Sequence, residues 1–138
     1  MSLVMKDQFD GLYEQLEQLI PGLRGLKAGD ARKSKSAGFM DLNLDVLAKS
    51  KGELRIALSH YYKHPSGDMI ADPDVEIRVY LIPDWEKAEA LTYQDARRYD
   101  MVYPTPETVN LTLKKSLNDF LKQWLTNLKN QGHKLSPA

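Results

Sequence analysis

The chain has 138 residues, enough to bury one substantial core, and its 42% hydrophobic and 28% charged side chains exclude a disordered polymer. Nineteen basic residues balance nineteen acidic ones, so no net field recruits nucleic acid or an anionic membrane. Cysteine is absent, which removes disulfides, thiolate metal sites and thiol nucleophiles and fits a reducing, cytoplasmic setting.

No apolar run approaches the ~20 residues of a membrane helix, and the N-terminus lacks the charged-then-apolar order of a signal peptide. Residues 1–4 read as a short added or disordered lead to a single domain spanning 1–138. From about Val4 to Ile20, Phe9, Leu12, Leu16, Leu19 and Ile20 fall on one stripe of an amphipathic helix, which Pro21-Gly22 ends. Residues 22–38 have no apolar period. They carry Arg24, Lys27, Arg32, Lys33 and Lys35 against Asp30, and predict a mobile basic loop without the aromatics that base stacking needs.

Five alternating segments follow. Met40, Leu42, Leu44 and Val46 alternate with Asp41, Asn43 and Asp45, and Ser50-Lys51-Gly52 turns the chain into the alternation from Leu54 to Tyr62. Val75, Ile77, Val79 and Leu81 alternate with Glu76, Arg78 and Tyr80 between Pro73 and Pro83, two residues expected to stop the ladder. Ala88 to Tyr93 and Tyr99 to Tyr103 complete the set. Thr105-Pro106-Glu107, or Asn110 a turn later, starts a helix whose stripe runs from Leu113 through Leu117, Leu121 and Trp124 to Leu128, with Gly132 as its stop.

These elements predict an α+β fold: an N-terminal helix, a five-stranded antiparallel meander and a C-terminal helix, both helices on one face of the sheet. Matching dry faces pairs Leu44 with Ile56, Leu58 with Val79 and Val79 with Leu91. The wet face then holds the rows Asp41, Ser59, Arg78, Thr92 and Asn43, Ala57, Tyr80, Ala90, with Tyr61 and Glu76 at one end. Small side chains leave floor space around Arg78 and Tyr80, a guanidinium and a phenol suited to a carboxylate, a phosphate or a dimer partner.

His60 and His64, four residues apart on a strand, lie ~13 Å apart and make a poor metal pair, so neither a metal nor a cofactor is expected. Acids such as Glu86 and Glu89 read as strand-edge solubility. Trp85 in its turn is expected to pack on something. The expectation is a non-enzymatic binding or interaction module using the polar sheet face, as a homodimer or with a small ligand. The alternative is an enzyme or sensor acting on a small anionic metabolite bound there.

The segments Ala71 to Tyr80, Ala88 to Tyr93 and Asn118 to Leu125 resemble the bacterial YqiB-like proteins, family 1249 of the domains of unknown function, over about Phe9 to Gly132. The resemblance implies a small cytoplasmic bacterial protein and supplies no activity or catalytic residue.

Overall fold

The computed structural model describes residues 11–137. The lead at residues 1–4 and the first part of the expected N-terminal helix, Phe9 included, lie outside the described residues. Helix α1 spans Leu12–Leu19, strands β1 to β6 span Ala31–Ser34, Leu42–Ser50, Glu53–Lys63, Met69–Tyr80, Lys87–Gln94 and Tyr99–Met101, and helix α2 spans Leu111–Asn130. The strands form one antiparallel sheet in the order β1 to β6, so the meander has six strands and not five.

The extra strand lies in the segment expected to be a mobile basic loop. Leu23 and Leu26 bracket a 3-10 turn at Leu23–Gly25 and are buried, and β1 pairs Arg32 with Leu44 and Ser34 with Leu42. β1 is polar and four residues long, so it shows no alternation in the sequence, while Leu23 and Leu26 are too few to make a period. Two of its basic residues are engaged: Arg24 pairs with Glu86 at 2.7 Å, and Arg32 Nη1 donates to the carbonyls of Pro21 at 2.6 Å and Leu135 at 3.0 Å.

Leu42, Leu44 and Val46 of β2, Leu54, Ile56 and Leu58 of β3, and Val75, Ile77 and Val79 of β4 share one core cluster with the stripes of both helices. The alternation thus assigns the faces of these strands correctly, while the registers differ from those expected. Leu44 faces Leu58 instead of Ile56, and Leu58 faces Val75 instead of Val79. Bulges account for part of the displacement, because each places an extra residue on one strand. In the β3–β4 ladder Ser59 faces Asp74 but Tyr61 faces Ala71, so Asp72 and Pro73 together oppose His60. Pro73 therefore does not end the strand; it occupies a bulge, where its missing N–H interrupts no ladder bond.

A further bulge brings Ile77 opposite Ala90 and Glu76 opposite Thr92, which leaves Leu91 as the inserted residue. Ala88 and Ala90, not Leu91, line the core on β5. Their small side chains sit on the strand that both helices contact. Asn118 of α2, fully buried, accepts the Ala90 N–H at 2.8 Å and donates to the Lys114 carbonyl, so a polar group enters the core with its bonds made.

Helix α2 begins at the later of its two candidate caps: Asn110 accepts the Leu113 N–H at 3.0 Å, while Thr105 bonds locally to Thr108. At its other end Gly132, with φ of 90°, lets its own N–H reach Lys129 and that of His133 reach Leu128, the paired bonds of a Schellman stop.

Candidate functional site

The true registers divide the expected patch. One outer-face row is Lys33, Asn43, Ser59, Asp74, Gln94, Tyr99, and the next is Ala31, Asp45, Ala57, Glu76, Thr92, Met101. Arg78 lies farther along, between Arg55 and Glu89, and Tyr80 lies between Glu53 and Lys87. Of the eight candidate residues, Arg78 and Tyr80 stay together at one end. Asn43, Ser59 and Tyr61 gather at the other, beside Asp41, which precedes β2. Glu76 and Thr92 lie between, and Ala90 leaves this face for the core.

The Arg78 end is a closed network around Glu89, an acid that reads in the sequence as edge solubility and is only 4% exposed. Tyr80 and Tyr103 each donate a hydroxyl to a separate Glu89 oxygen at 2.6 Å. Lys114 Nζ donates to the Tyr103 hydroxyl at 2.9 Å and lies 3.7 Å from Glu89. Arg78 Nη1 donates to the Tyr80 hydroxyl at 3.2 Å, and its carbon lies 5.9 Å and 5.5 Å from the ring centres of Tyr80 and Tyr103. Arg78 Nε has no hydrogen-bonded partner; Glu53, 3.5 Å away, supplies opposite charge at a distance too long for a good bond. Burial pushes the Tyr80 hydroxyl up to about 12, Arg78 opposing and Glu89 adding to the shift. Trp85, half exposed in its turn, packs edge-on against Tyr80 at 5.3 Å.

The opposite end is open. A groove of about 710 Å³ is lined by Asp41, Asn43, Asp45 and Tyr61 with Lys33 and Met69. Arg32 also borders it, but its Nη1 is committed to the two carbonyls named above. Tyr61 donates to Asp74 at 2.7 Å, and burial, then that carboxylate, pushes its hydroxyl up to about 12. Ser59 is 1% exposed and does not line the groove, so its hydroxyl is not available to an incoming group. Lys33, Asp45 and Met69 are exposed at the rim.

The histidines separate as well. His60 faces the helix side, its Nδ1 paired with the Asp41 carbonyl at 2.8 Å, whereas His64 bonds to Ser66 in the β3–β4 turn. His133, 5% exposed, pairs through Nδ1 with Ser34 at 2.8 Å and lies 6.0 Å from His60 ring to ring. No group of three or more metal-binding side chains occurs among the described residues. Nor is any described helix long and apolar enough to cross a membrane.

Sequence reasoning missed Glu89, Tyr103, Lys114, Lys33 and Met69. Glu89 had a usable signal, since its two alanine neighbours can only be core if it points outward. Tyr103 and Lys114 had none, because a loop and a helix start bring them to the network.

A family model described as a domain of unknown function, DUF6908, matches residues 14–134, and the chain belongs to this family. An uncharacterised family is thus the right expectation, but the match does not support the YqiB-like assignment. No curated protein and no solved structure matches the chain.

Proposed function

We propose that this DUF6908 protein is a binding module without chemistry of its own, and that the groove along β1, β2 and β3 is its recognition surface. The observation that carries the reading is the meeting of Asp41, Asn43 and Tyr61 in one open groove of about 710 Å³, inside the range of small-molecule sites. Arg78, by contrast, already has the Tyr80 hydroxyl, Glu53 and the rings of Tyr80 and Tyr103 around it, so an anion arriving there has little left to neutralise. The groove carries Lys33 on one side and Asp41 and Asp45 on the other. It suits a polar ligand with both signs of charge better than the purely anionic metabolite of the alternative reading.

Titrating amino-acid-like zwitterions, amines, carboxylates and phosphates while following backbone amide shifts tests this. Saturable shifts on β1, β2 and Tyr61 are expected, strongest for zwitterions and altered by Lys33→Glu and by Asp45→Lys. Shifts centred on Arg78 would defeat it. A second reading, a homodimer through the same face, draws on Met69, Tyr99 and Met101, which are 60%, 53% and 41% exposed on or beside it. Sedimentation of wild type and Met69→Glu separates the two: a dimer broken by the substitution favours association, and a monomer in both favours the groove.

A further inference from the structure

A second concavity, of about 480 Å³, lies on the helix side, lined by Phe39, His60, Tyr93, Phe120 and Trp124 with Asp72. Its aromatic wall is continuous. Tyr93 meets Phe120 edge-on at 5.5 Å, Phe120 stacks on Trp124 at 5.8 Å, and Trp124 meets His60 edge-on at 5.6 Å. Gly38, Phe39 and Met40 also line the concavity, and they belong to the segment 36–41, which is anchored at both ends. Ser36 Oγ donates to the Gln131 carbonyl at the end of α2, and His60 pairs with the Asp41 carbonyl at 2.8 Å. Such anchoring pre-forms the cleft and lowers the ordering cost of filling it. Phe39, at its mouth, is 51% exposed.

The chemistry of the lining is one-sided. Aromatic faces present negative charge density, and Asp72 is the one carboxylate among the lining residues, with His60 and the Tyr93 phenol the other ionisable groups. The Tyr93 ring already accepts a cation, Arg98, at 4.8 Å, and that arginine is itself paired with Asp100 at 3.1 Å. We propose that this aromatic cleft with Asp72 is a site for a small organic cation of the quaternary-ammonium or alkylated-amine class. It is separate from the groove on the outer face, and either site stands without the other.

Choline and its uncharged isostere 3,3-dimethylbutan-1-ol distinguish this from plain apolar burial, because the two differ in charge and hardly in shape. Trp124 fluorescence in a Trp85→Phe background reports on the cleft. Choline is expected to bind saturably and about tenfold or more tighter than the isostere, with the difference lost in Asp72→Asn and both signals weakened in Phe39→Ala. Phe39 and Asp72 are exposed, so neither substitution threatens the fold. Equal binding of the two probes, no saturable response to choline, or choline binding unchanged in Asp72→Asn would each overturn the assignment. A trimethyllysine peptide that outcompetes choline would overturn its small-molecule form by placing the cation on a protein partner.

Discussion

The two ends of the outer sheet face contain similar side chains and differ in how many of their partners are in place. Around Arg78, Glu89 receives two phenolic hydroxyls at 2.6 Å, one of them also bonded by Arg78, and lies 3.7 Å from Lys114. Around Asn43, two carboxylates, a lysine and a thioether border open space. Chemical type does not separate them, since both ends have tyrosine, acid and base. Completion does. A polar group whose bonds are all made inside the protein holds the structure together, and one left facing a cavity can meet something else.

That contrast makes unequal demands on stability. Glu89→Ala is expected to cost about 3–5 kcal/mol, because it takes the acceptor from the Tyr80 and Tyr103 hydroxyls and a nearly buried carboxylate from beside Lys114, and urea midpoints measure it. Tyr80→Phe comes next at about 1–3 kcal/mol, through the donor removed from a buried Glu89 oxygen. Asp45→Ala, at the exposed rim of the groove, should stay within about 0.5 kcal/mol. A Glu89→Ala cost as small as that of Asp45→Ala would erase the distinction between the ends.

Alkaline titration probes a property that the two ends share. Tyr80 and Tyr61 are held at about 12, while an unfolded tyrosine ionises near 10. Their contribution to stability is therefore complete below pH ~10 and is lost as pH rises to ~12, where the native hydroxyls also ionise. Burial raises Tyr13, Tyr93 and Tyr103 as well, so ultraviolet difference spectra should find several tyrosines ionising late, with Tyr80 and Tyr61 the latest. Tyr80→Phe and Tyr61→Phe should each remove one of them, although only the first lies in the closed network.

How much of this was legible in the sequence follows from what alternation encodes. The period of two identifies which side chains share a face, and for Leu42 to Val46, Leu54 to Leu58 and Val75 to Val79 it did so correctly. It does not fix which residue lies opposite which. Turn length and bulges decide that, and a slip of two or four residues keeps every face intact while moving every neighbour. The alternation therefore turns Arg78 outward correctly, while matched dry faces alone give it the wrong companions. Tyr103 and Lys114 were invisible for another reason: they reach Glu89 only after the chain has closed around β5. The groove was partly visible, since Asp41, Asn43 and Tyr61 were all outer-face candidates, but Lys33 lay on a strand too short and polar to be noticed.

The segment that leaves α2 at Gly132 has a consequence for the order in which the molecule comes together. Leu135 donates its N–H to Leu19, and its carbonyl receives Arg32 from 103 residues earlier, while Lys134 donates to Ser34. A few bonds thus link α1, β1 and the far side of α2 across nearly the whole sequence. Contacts of such long sequence separation carry the greatest closure entropy and belong to the last steps of assembly. The clasp then acts as a kinetic latch: loosening it with Arg32→Ala would speed opening of the β1 edge and leave the rate of initial collapse almost unchanged.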